Sequence, residues 1–67
     1  MDKTDALLFY LRQMADWMEL QARDYDDGKA VHFTGPQDDS KDAAARLRHK
    51  ASNILQVIEG FQRLTAR

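Results

Sequence analysis

The two histidines of this sequence, His32 and His49, are the side chains best suited to acid–base chemistry or to metal binding. A helical metal site needs a second ligand about one turn away, typically four residues along the chain. Neither histidine has a carboxylate or another histidine at that spacing. We therefore predict no catalytic residue, no metal site and no cofactor, and we expect the protein not to be an enzyme.

An acidic segment, Asp24–Gly28, raises the question of calcium binding. The calcium loop of an EF-hand carries acidic residues at positions one, three and five, glycine at six and glutamate at twelve. Counted from Asp24, Gly28 stands at position five and Gly35 at position twelve. The spacing excludes this kind of site, and we interpret the segment as a helix end with solvated carboxylates.

One basic run, Arg46–Lys50, could contact nucleic acid. On a helix its charges scatter around the circumference and form no single stripe. The chain as a whole has 10 Lys and Arg against 11 Asp and Glu, a formal net charge of −1, so it has no net attraction for phosphate. Nucleic acid is not expected as a partner, although a weak nucleic-acid-binding dimer that uses this segment is kept as an alternative.

The first half of the chain has a helical period. Apolar residues recur every three or four positions between about residues 4 and 25, which predicts an amphipathic helix. Asp2 offers an acceptor near its start, and Gly28 suits the backbone beyond its end. The stripe consists of Leu7, Leu11, Met14, Met18 and Tyr25, with Leu8, Ala15 and Ala22 on one side of it.

A second helix is predicted over about residues 37–65. It has two possible starts: Pro36 in the first turn, or a later start capped by Ser40. Its apolar stripe is Ala44, Leu47, Ala51, Ile54, Ile58, Phe61 and Thr65, flanked by Leu55, Val57 and Leu64. Residues 26–36 are predicted to form a loop that folds Val31 and Phe33 over the end of the helix pair, because a lone strand there would lack a partner.

These elements predict an all-α fold, a single domain over residues 1–67 built as a two-helix antiparallel hairpin. A chain of 67 residues has a thin core, and with no cysteine it has no disulfide to compensate. We expect a homodimer that forms a four-helix bundle. The sequence has no long uncharged apolar run, so we expect no membrane span and no secretion signal. The absence of cysteine is compatible with a cytoplasmic protein, and we expect that location.

The first helix carries more apolar surface than one hairpin contact can cover. This surplus favours a non-enzymatic protein–protein interaction module, a small regulator or adaptor, with aromatic residues as anchors. The alternative is a purely structural unit whose surplus surface is used in self-assembly. The candidate interface residues are Phe9, Tyr10, Trp17, Leu20, Val31 and Phe33.

Overall fold

The computed structural model describes residues 2–65. Helix α1 spans Lys3–Asp26, strand β1 Phe33–Thr34, strand β2 Gln37–Asp38 and helix α2 Ser40–Thr65. The two helices lie side by side, and the start of α1 lines the same surface cleft as the end of α2. The predicted antiparallel all-α hairpin is therefore confirmed. It is a rod with extents of 51 × 19 × 19 Å.

Small side chains form the contact between the helices. The buried residues are Ala15 and Ala22 on α1 and Ala43, Ala44, Ala51 and Ile58 on α2. Several of them recur every seven residues, as expected for two helices that pack along one continuous stripe. Because alanine ends at Cβ, it allows the two backbones to approach closely. We call this contact the alanine seam.

The alanine seam differs in one respect from the predicted stripe of α1. The sequence pattern placed Leu11 and Met18 at the centre of the contact, but both are only half-buried. Ala15 and Ala22, predicted beside the stripe, are fully buried instead. The contact face is rotated by about 40° from the expected one, at 3.6 residues per turn. This rotation leaves Leu7 more than half exposed.

The ends of α1 follow the predicted local chemistry. Asp2 caps the helix, and its carboxylate accepts a hydrogen bond from the backbone N–H of Asp5 at 2.8 Å. Beyond the last turn, Gly28 adopts a φ of 76°, as its position predicted. The carbonyl of Asp24 accepts from the backbone N–H of Lys29 at 2.9 Å. These bonds satisfy groups that a helix end would otherwise leave unpaired.

The connection between the helices contains a short β-ribbon that the sequence reading did not foresee. Residues 33–34 pair antiparallel with residues 37–38, so the expectation that a strand here would lack a partner is wrong. Gly35 and Pro36 form the two-residue turn, and Gly35 has the positive φ, 61°, that such tight hairpin turns require. The second helix takes the later of its two possible starts, but Ser40 is its first residue and not its cap, because the Ser40 hydroxyl bonds to Asp38 and to the backbone N–H of His32.

The predicted role of Val31 and Phe33 as a cover for the core is also wrong. Both side chains are more than half exposed. His32, between them, is the half-buried residue, and its ring meets Tyr25 edge-on with centroids 6.1 Å apart. Successive side chains of an extended segment point to opposite sides. Once His32 faces α1, its two neighbours therefore face solvent.

Candidate protein interface

Four large apolar side chains of α1 point away from α2. Phe9, Tyr10, Trp17 and Leu20 are each more than half exposed. At 3.6 residues per turn, they stand about 120–160° around the helix from the centre of the alanine seam. No part of α2 can reach that side of α1. We call these four residues the outer face. Sequence reasoning identified all four as candidate interface residues, and the structure places them together on one helix surface.

A second apolar surface takes side chains from both helices. Leu11, Ile54 and Val57, with Asn53, line a shallow pocket of about 210 Å³ on one side of the alanine seam. Helical rotation places exposed residues of both helices around this pocket. We call them the lateral face: Leu7, Val57, Phe61 and Leu64, of which Leu64 is 75% exposed.

The lateral face was not among the candidate interface residues predicted from sequence. Phe61 was assigned to the contact stripe of the second helix, and Val57 and Leu64 to its flanks. The flanking positions of Val57 and Leu64 were a signal of exposure, because a single partner helix covers the centre of an apolar stripe and can leave residues at its edge exposed. The rotated seam adds Leu7 from α1, and only the packed pair shows that all four are exposed on one side.

Val31 and Phe33, the remaining predicted interface residues, belong to the connection rather than to either helix face. Both are exposed at the loop end of the rod. They are accessible to a partner, but they lie on a different element from the outer face. Their place in an interface stays a prediction.

A cluster of polar side chains fixes the β-ribbon to the start of α2. The Nδ1 atom of His32 shares a hydrogen bond with Oδ1 of Asp39 at 2.5 Å. The Thr34 hydroxyl donates to the other carboxylate oxygen of Asp39 at 2.6 Å. The backbone N–H of His32 donates to the Ser40 hydroxyl at 3.0 Å. Asp39 thus joins both sides of the ribbon, and its side chain is only 15% exposed.

These bonds change the acidity of Asp39. Hydrogen bonds from Thr34 and then from His32 stabilise its charged form and lower its pKa from 3.8 to about 2. Its neighbour Asp38 accepts hydrogen bonds from the hydroxyl and backbone N–H of Ser40, and these also lower the pKa of Asp38. Both carboxylates therefore keep their charge to a lower pH than an ordinary aspartate does, and Asp39 still fastens the ribbon to α2 there.

The presence of a serine, a histidine and an aspartate in this cluster invites comparison with a hydrolase triad. In a triad the serine hydroxyl is hydrogen-bonded to the imidazole that will take its proton. Here the Ser40 hydroxyl donates to Asp38 at 2.6 Å and accepts from the backbone of His32. The Ser40 hydroxyl is therefore not hydrogen-bonded to the imidazole of His32. We interpret the cluster as a structural link between the ribbon and α2. Among residues 2–65, no three carboxylate or histidine groups converge to hold a metal ion.

Two arginines of the basic run Arg46–Lys50 lie close to acidic side chains. Arg48 is ion-paired with Asp26 at the end of α1, which raises the pKa of Arg48. The guanidinium of Arg46 lies 3.6 Å from the carboxylate of Asp39. These contacts offset two of the charges that a phosphate backbone would need, and they weaken the nucleic-acid alternative.

Comparison with protein-family models, with curated proteins and with solved structures finds no match for this chain. Within residues 2–65, neither helix is long and apolar enough to cross a lipid bilayer. The features of the chain that bear on its function are therefore the outer face, the lateral face and the connection.

Proposed function

We propose that the protein is a non-enzymatic helical interaction module, a small regulator or adaptor that binds another protein through the outer face of α1. One observation carries this proposal: four large apolar side chains point away from α2, the other helix of residues 2–65. Tyrosine and tryptophan dominate binding energy at many protein interfaces, because they bury a large area and keep one polar tip for a hydrogen bond.

The shape of the outer face indicates the kind of partner surface. Its residues follow one side of α1 over about three turns, from Phe9 to Leu20. A helix packs best against the ridges and grooves of another helix. We therefore expect the partner to present an apolar helix stripe, with Trp17 near the middle of the contact.

Affinity capture from a cell extract with matched variants tests this role. We expect wild-type protein to retain a specific partner and Trp17→Ala to reduce its recovery at least tenfold. Trp17 is 59% exposed, so the variant should keep the helical spectrum of the wild type. Arg12→Ala, an exposed change on the polar side of α1, is the control and should retain the partner. Equal recovery with both variants would contradict the assignment of the outer face.

A second candidate is a purely structural unit that acts only by self-assembly. The observation that favours it is the single-layer shape of the chain, in which six residues, mostly alanines, form the buried apolar core among residues 2–65. Small folds without disulfides or metals often complete such a core by association. The same capture experiment separates the two roles, since a purely structural unit would retain no protein other than itself.

A further inference from the structure

The chain exposes more surface than a folded monomer of its size should. A compact protein of 7.7 kDa is expected to expose about 4,300 Å². This chain exposes 5400 Å², an excess of about 1,100 Å² over that expectation. A standard protein interface buries about 800 Å² on each partner. The excess therefore corresponds to roughly one interface.

The dimensions of the chain support the same conclusion. Its radius of gyration is 15.0 Å, whereas a compact domain of this length has about 11 Å. The difference arises because two helices in one layer form a rod with no second layer above them. Domains normally bury their helices between at least two layers. A second hairpin packed along one side of the rod would supply the missing layer.

We infer that a second copy of this chain covers the lateral face, so that two hairpins stack face to face as a four-helix bundle. This face includes side chains from α1 and α2, so one hairpin placed on it covers both helices at once. The outer face belongs to α1 alone, and a copy placed there would leave Val57 and Leu64 exposed.

The lateral face also has the shape that a self-complementary contact needs, with both protruding side chains and a pocket. In a two-fold dimer, the same patch must supply both the protruding side chains and the hollows that receive them. The pocket lined by Leu11, Ile54 and Val57 is such a hollow. Leu7 on α1 and Leu64 on α2 are exposed between this pocket and the open end of the hairpin, and they supply the protrusions.

This dimer goes beyond the proposed partner binding, because it uses a different surface. Each hairpin in the bundle keeps Phe9, Trp17 and Leu20 of the outer face on the outside, whereas Tyr10, on the same side of α1 as Leu7, borders the contact. The dimer therefore displays two outer faces and binds a partner that has two sites more tightly than a single hairpin does.

Sedimentation equilibrium of the full chain over a wide concentration range tests the inference. We expect the mass of two chains at micromolar concentration and above. Val57 is 63% exposed in the single chain, and Val57→Asp places a charge at the centre of the contact. It should raise the dimer dissociation constant at least about tenfold. The control is Ser52→Asp, an exposed change on the other side of α2, which should leave that constant unchanged.

A wild-type chain that stays monomeric at the highest concentration would overturn the inference, as would a dimer that Val57→Asp and Ser52→Asp weaken equally. If Val57→Asp does not fold, then Val57→Ala with Ser52→Ala as its control gives the same comparison with a milder change. The outcome for the dimer is separate from that for the proposed function. A monomer that still retains a partner through Trp17 removes the dimer alone, and a dimer that retains no partner removes the interaction role alone.

Discussion

The alanine seam makes a sharp prediction about residue size. Ala51 is fully buried at the contact between the helices. Ala51→Leu replaces a methyl group by an isobutyl group at a position where the opposite helix leaves no room. Overpacking of this kind costs about 1–3 kcal/mol of unfolding free energy. For a domain of this size, each kcal/mol lowers the melting temperature by about 4–8 °C, so we expect a decrease of about 4–24 °C.

The control for this experiment is Ala45→Leu. Ala45 lies on the same helix but is exposed, and leucine has nearly the same helix propensity as alanine. Ala45→Leu should therefore change the unfolding free energy by no more than about 0.5 kcal/mol. Thermal unfolding followed by far-UV circular dichroism, at one fixed protein concentration, measures both variants. The concentration must be matched because self-association makes the melting temperature depend on it. Equal losses in the two variants would show that the alanine seam is not the helix contact.

Four further variants test the core, two glycine positions and the acid response. Ile58→Ala removes a side chain that is 1% exposed and should cost about 2–5 kcal/mol in urea unfolding. Gly28→Ala should lower the unfolding free energy by about 1–2 kcal/mol, because φ at Gly28 is 76°. Gly60→Ala should stabilise α2 by about 0.5–1 kcal/mol, because a Cβ at this position meets nothing within 4 Å. The pKa of Asp39 is about 2 in the folded chain and 3.8 normally, so the unfolded chain binds this proton more readily. The stabilisation of the fold by charged Asp39 is therefore complete above about pH 4 and is lost as the pH falls towards 2. Asp39→Asn should flatten this part of a melting-temperature profile, and an unchanged profile would refute the role of Asp39.

The helices could be predicted from sequence because their signals are local. The three- and four-residue spacing of apolar side chains identifies both helices, and the cap at Asp2 and the turn at Gly28 mark the ends of α1. The rotation of α1 could not be predicted in the same way. Hydrophobic periodicity gives most weight to large side chains, while close helix packing selects small ones. Ala15 and Ala22 therefore displaced Leu11 and Met18 from the centre of the contact.

The β-ribbon was missed because its second strand carries no apolar pattern. Gln37 and Asp38 are polar and exposed, and their strand is defined by backbone pairing alone. The dipeptide Gly35–Pro36 was a usable signal for the turn, but it was assigned to a possible helix start. The contact between His32 and Asp39 was missed because these residues lie seven positions apart, a spacing that suggests contact only once the turn is known.

The outer face could be predicted from sequence, whereas the lateral face could not. The outer face lies on one helix, so the helical period was sufficient to identify Phe9, Tyr10, Trp17 and Leu20. The lateral face combines two helices, and its identification requires the rotation of each helix about its own axis. That rotation is set by side-chain packing across the alanine seam, which no single-helix pattern contains.

The emission of Trp17 tests the central claim, that the outer face is free in the protein alone and covered by a partner. Trp17 is the only tryptophan of the chain, so its fluorescence reports this one position. We predict red, solvent-exposed emission from the pure protein at every concentration, and a shift to shorter wavelength when a captured partner is added. Blue emission from the pure protein that persists on dilution would place Trp17 inside a single chain and would contradict the account.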